Sequence, residues 1–200
     1  MKRILAVLLV LTIVVPLTAA PGPCTISSDP TAAPCGEGDA RWGPGGSWVI
    51  SAVLPGGTAT TTAYINGRPV STASYSRYGG LTLDGLSIRR DSAGRVVFRD
   101  LRNGTAFTVD GSAASAARLN AYLRAYGPPP TWWTDLVWAI KAGWASGPCN
   151  QATLEAEAAA IGVFACGAVS TTLILSGCLA GAISAYFRAA EKQVTACQPY

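Results

Sequence analysis

The chain has 200 residues, no histidine, a net charge of +4 and only 13% charged side chains, about half the ~25% of ordinary globular chains. Without histidine, Ser-His-Asp catalysis, Cys-His catalysis and mixed Cys/His zinc sites are excluded. Neither a Walker loop nor a G-x-G-x-x-G run after a strand occurs, so no cofactor is expected.

Lys2 and Arg3 open the chain, an apolar run from Ile4 to Val15 follows, and Pro16 ends it before the small residues Thr18, Ala19 and Ala20. This layout predicts a secretory signal peptide over residues 1–20. The run falls short of the roughly 20 apolar residues of a bilayer span. Export implies an oxidising compartment, in which the six cysteines read as disulfides. Over the Pro/Gly-rich segment 21–47, Cys24 and Cys35 bracket a short loop and are expected to pair locally.

Residues 48–126 are predicted to form an antiparallel beta domain ending in a helix. Thr58 to Ile65 is rich in beta formers, Asn66-Gly67 suits a two-residue type I′ turn, and Arg68 to Tyr75 returns. Turn signals at Asp84-Gly85, Asp91 to Gly94 and Asn103-Gly104 separate strands at Leu86 to Arg90, Arg95 to Arg99 and Thr105 to Val109. Closely spaced short strands suggest a meander, a small sandwich or a partly open barrel. Between Arg41 and Arg124 ten arginines stand against four acids. Arginine suits bidentate contact with phosphate or carboxylate, which makes Arg89, Arg90, Arg95, Arg99 and Arg102 candidate anion contacts. The plainer reading is a solvated strand face, and the alternation in L-S-I-R-R and R-V-V-F-R-D supports it. The four acids Asp84, Asp91, Asp100 and Asp110 all fall near turns, which explains them without catalysis, and no enzyme is expected.

Ser112 is placed to cap a helix running to about Tyr126, with Leu119, Tyr122 and Leu123 facing inward. Gly127 and Pro128 to Pro130 end it, and 127–131 is expected to be a linker between domains. Residues 132–200 then form a helical domain. Its first helix carries Trp132, Trp133, Trp138 and Trp144, an apolar arc that asks for cover from a protein core or from a membrane interface.

Beyond it, no charged residue occurs from Ala158 to Phe187, and residues 161–183 alone are long enough to cross a bilayer as the span of a type I membrane protein. The cysteines favour a hairpin instead. If the chain reverses near Ala168 to Thr172, with Gly167 closing the first helix, Cys149 with Cys197 and Cys166 with Cys178 fall at matching levels of two antiparallel helices. In one straight helix Cys166 and Cys178 would stand about 18 Å apart, beyond the ~7 Å Cα limit of a disulfide. Leu154, Ala158, Ile161 and Ala165 would line one helix, and Leu175, Leu179, Ala182 and Tyr186 the other.

The expected fold class is therefore α+β, a small antiparallel beta domain followed by a disulfide-stapled helical domain. The expected function is that of a secreted or cell-envelope protein, non-enzymatic, acting by binding or as a structural component. A membrane surface and an anionic envelope polymer are the partners this pattern admits, and nucleic acid is not expected. The Gly-rich, Ala-rich stapled tail is loosely similar in composition to cysteine-stapled helical bacteriocins, a resemblance that implies membrane activity as the alternative. A single-pass anchor near 161–183 is the third reading.

Overall fold

A computed structural model describes residues 40–41, 48–54, 57–128, 130–142, 145–169 and 172–198. The expected leader, the Cys24 and Cys35 pair and Trp144 lie outside the described residues.

The fold is α+β, a meander sheet followed by four helices. Its strands are β1 (Ala40–Arg41), β2 (Trp48–Leu54), β3 (Thr58–Ile65), β4 (Arg68–Ser76), β5 (Gly80–Leu83), β6 (Leu86–Arg90), β7 (Val96–Asp100) and β8 (Ala106–Val109). They lie side by side in sequence order, every neighbour antiparallel; β1 is a two-residue edge pair, which leaves seven full strands. The helices are α1 (Ala113–Tyr126), α2 (Pro130–Ala142), α3 (Pro148–Val169) and α4 (Thr172–Ala196).

Local chemistry explains the meander. Asn66 and Gly67 both take positive φ, 52° and 73°, the pair of values a type I′ turn requires and one that matches the twist of its strands. Asp84 and Gly85 repeat the device at 49° and 83° between β5 and β6. The Asp84 carboxylate also accepts from the Ser71 hydroxyl and, at 3.2 Å, from the Thr72 amide. β7 begins one residue later than expected, since Arg95 is engaged by Asp91, which accepts from the Arg95 amide (2.9 Å) and guanidinium (2.8 Å). β8 also begins one residue late. The Asn103 side chain accepts from the Thr105 amide at 2.9 Å, which keeps Thr105 in the turn.

Period-two alternation gives the sheet two unlike faces. Val49, Ala59, Tyr75, Leu81, Ile88, Phe98 and Val109 point to one side and are buried. The opposite side carries Thr60, Thr62, Thr72, Ser74, Thr82, Arg89 and Arg99, half-buried or exposed. The helices cover the first face only. Phe98 sits at the centre, its ring 4.8 Å from Phe107, 5.0 Å from Tyr122 of α1 and 6.1 Å from Phe164 of α3. Trp133 of α2 closes on Phe164 at 5.0 Å. One hydrophobic cluster thus joins the sheet to all four helices.

α3 is the hub, buried against the sheet, α2 and α4. Its small residues Ala152, Ala156, Ala158, Ala160 and Ala168 are all buried, and small side chains let several elements approach one helix closely. Gly167 was expected to close this helix and does not. It lies inside α3, where an added Cβ would stand 2.6 Å from Leu119 Cδ2 of α1, so its role is close packing. Asn120 Nδ2 donates to the Gly167 carbonyl at 2.7 Å.

The reversal into α4 falls where expected. Cys149 is bonded to Cys197 with Cα atoms 4.6 Å apart, and Cys166 to Cys178 at 5.6 Å. The segment 161–183 is therefore not one rod, since α3 ends at Val169 and α4 begins at Thr172. Among the described residues no helix is long and apolar enough to cross a membrane.

Candidate functional site

The five arginines singled out in the sequence do not converge. Arg89 and Arg99 stand on the open face of the sheet. Arg95 is paired with Asp91 at 2.7 Å, and Arg102 grips the buried Asp100 with two guanidinium contacts of 2.9 and 3.1 Å. The Arg95 amide, and after it the Arg95 guanidinium, hold the Asp91 carboxyl below the usual range, and the Arg102 guanidinium does the same for Asp100. Asp110 is lowered to about 2 by the Ser112 and Ser115 groups that donate to it. Asp91, Asp100 and Asp110 are thus engaged within their own turns, and Asp84 is bonded to Ser71 and Thr72 of the neighbouring β4.

Arg90 differs. It shares the inner side of β6 with Leu86 and Ile88, and its guanidinium lies over the Phe187 ring of α4 at 4.3 Å. Near it, from the turn after β4, Arg77 lies over Tyr78 at 5.1 Å. Neither arginine makes an ion pair among the described residues. Both line a cavity of about 270 Å³ between the sheet rim and α4, together with Tyr78, Tyr186, Glu191 and Val194. The helix wall follows from spacing: Tyr186, Ala190 and Val194 recur every four residues and so share one stripe. The sheet wall depends on Gly80, at φ 70°. A Cβ there would collide with the Ile88 carbonyl oxygen and stand 2.7 Å from Arg89 Cα, so the turn from Arg77 to Gly80 closes this tightly onto β6 only with glycine.

Behind the cavity runs a buried polar seam. Tyr75 of β4 donates to Gln193 Oε1 at 3.2 Å, and Gln193 Nε2 donates to the Gly57 carbonyl (2.8 Å) and to Thr153 Oγ1 (2.9 Å). These bonds fix α4 against the sheet beside the Cys149–Cys197 crosslink. Farther in, Thr61 donates to Glu157 Oε2 at 2.7 Å and shares a 2.7 Å hydrogen bond with Ser51. Glu157 has no exposed surface, and its Oε1 has no hydrogen-bond partner among the described residues. Burial pushes its carboxyl up to about 8, opposed only by the Thr61 hydrogen bond. The Tyr186 phenol is pushed up to about 12 by burial, with Arg90 opposing, and Tyr75 higher still, by burial and by the nearby Tyr186 and Glu157.

The tryptophans divide as well. Trp133 is buried, Trp132 packs edge-on against it at 5.4 Å, and Trp138 is 68% exposed. Arg77, Tyr78, Glu191 and Gln193 gave no motif in the sequence. Glu157 did leave a trace: it lies three residues after Leu154 and four before Ile161, in phase with the stripe expected to face inward. Among the described residues no three acid, cysteine or histidine side chains gather as a metal site. The class that fold and site define is an α+β protein with a stapled helical layer and an arginine-walled cleft. No protein-family model, curated protein or solved structure matches the chain.

Proposed function

We propose that this is an exported, extracytoplasmic protein without catalytic activity, which acts by binding an anionic group in the cleft between the sheet rim and α4. The observation that carries the reading is the pair Arg77 and Arg90, two arginines without acid partners among the described residues that line one cavity of about 270 Å³. Each guanidinium carbon stands over an aromatic ring, at 5.1 Å for Arg77 and 4.3 Å for Arg90, a contact that leaves N–H donors for a carboxylate or phosphate. The disulfides agree with an oxidising compartment, and the Gln193 seam holds the cleft walls in place.

Titrating 3-phenylpropanoate or inorganic phosphate into the isotope-labelled protein tests this. Saturable resonance shifts are expected at Arg77, Arg90 and Tyr186, absent in the Arg77→Gln/Arg90→Gln double variant. Equal shifts in that variant, or none in the parent, would discard the proposal.

A second reading, membrane activity, is favoured by one observation. Around the Cys166–Cys178 crosslink α4 exposes the uncharged Gly177, Cys178, Gly181 and Ser184, and Trp138 is also exposed. Dye release from phosphatidylglycerol vesicles that disappears in Trp138→Ser supports it; intact vesicles at a large excess of protein exclude it.

A further inference from the structure

The cleft carries both signs of charge, on opposite walls. Arg77 and Arg90 come from the sheet side, whereas Glu191 comes from α4, one turn beyond Phe187 and beside Ala190 and Val194. Glu191 reaches no cation within 4 Å among the described residues. The neighbouring Lys192 is instead paired with Glu155 of α3 at 2.6 Å. A fold that wished only to neutralise Glu191 has guanidiniums in the same cavity, yet the walls hold them apart. The same cavity is also lined by Tyr186, Tyr78, Ala190 and Val194.

We infer that the ligand of this cleft is a small zwitterion of the amino-acid type, its carboxylate on Arg77 and Arg90, its ammonium on Glu191 and its side chain between Tyr186 and Val194. The inference rests on the binding reading above and narrows it. A cavity of about 270 Å³ falls just below the roughly 300 Å³ at which drug-sized sites begin, which suits one free amino acid and is too small to enclose a polymer chain. A simple anion leaves Glu191 unpaired next to it and is repelled by it. A simple amine meets two guanidiniums. Only a ligand with both charges satisfies both walls.

Three probes with the same aromatic body separate these cases: L-phenylalanine with both charges, 3-phenylpropanoate with the acid alone and 2-phenylethylamine with the amine alone. Calorimetric titration of the full chain is expected to show L-phenylalanine binding about tenfold tighter than 3-phenylpropanoate, the worth of one charge-assisted contact, and 2-phenylethylamine not binding. In Glu191→Gln, an exposed helix position whose change leaves the fold intact, that preference should vanish while 3-phenylpropanoate binds as well as before or better. If 3-phenylpropanoate equals or exceeds L-phenylalanine in the parent, the zwitterion is wrong and the anion cleft stands. If the preference survives in Glu191→Gln, the ammonium is held elsewhere and the assignment fails. If none of the three probes nor inorganic phosphate binds, or if the amine binds tightest, the binding reading itself falls.

Discussion

The sheet and the helix α3 solve the burial problem in opposite ways. Each strand has a wet side and a dry side, so half its residues are free to be threonine, serine or arginine, and turn residues such as Asn66 and Gly67 set the pairing. α3 has almost no wet side. It is covered by the sheet, α2 and α4, and its residues must be small, apolar or, at Glu157, polar with few bonding partners. The sheet is therefore specified locally and the helical layer by contacts far apart in sequence. Perturbations should be mild on the open sheet face and severe around α3.

The largest effect is expected from Glu157. The unfolded carboxyl ionises near the usual 4.5 and the folded one near 8, so between those values the folded chain holds a proton that the unfolded chain has lost. Stability is therefore full below about pH 4.5, declines as pH rises and levels off above 8. Ionising a buried carboxylate costs roughly several kcal/mol. Among the described residues no cation opposes this: Thr61, Ser51 and Tyr75 face Glu157 from the sheet, Gln193 and Tyr186 lie on the α4 side, and Arg90 acts on the two tyrosines. Urea unfolding across this window should show the decline, and Glu157→Gln should remove it. A parent curve that rises with pH would contradict the burial account.

The crosslinks come next. On chain-entropy grounds, replacing Cys149 and Cys197 by alanine should cost about 4 kcal/mol and replacing Cys166 and Cys178 about 3 kcal/mol, because the first bridge closes the longer loop. Chemical denaturation of the two double variants compares them directly; a reversed order would mean that the short bridge holds more than its own loop. Gly67→Ala is smaller, about 1–2 kcal/mol, from the left-handed φ alone, since nothing lies within 4 Å of the added methyl. At the other end, Arg89→Ala and Arg99→Ala on the open face should each change stability by less than about 0.5 kcal/mol. A loss of more than 1 kcal/mol at either would show that this face is covered.

What was legible in the sequence follows the same division. The β3–β4 hairpin, the Ser112 cap of α1, which accepts from the Ser115 amide at 3.2 Å, and the nesting of the two C-terminal disulfides all rest on near neighbours or on simple antiparallel geometry. β5 escaped notice because four residues beginning at Gly80 carry too little pattern. The cleft was illegible for a different reason. It exists only because α4 docks on β4 to β6, which brings Glu191 to Arg77 and Arg90 from about a hundred residues away. Alternation in L-S-I-R-R points to a wet strand face, which holds for Arg89, but it sends the adjacent Arg90 to the other side of the strand, where only the docking of α4 gives it a neighbour. The tryptophan arc likewise split, since α2 turns Trp133 inward and Trp138 outward.

Sheet and helices share one core organised by α3. Native-state hydrogen exchange on the oxidised protein tests it most directly, by comparing the amides of Val49 and Phe98 in the sheet with those of Ile161 and Phe164 in α3. A single opening free energy common to all four is the predicted result. If the α3 amides exchange at a much lower free energy while the sheet stays protected, the two layers fold separately and the claim fails.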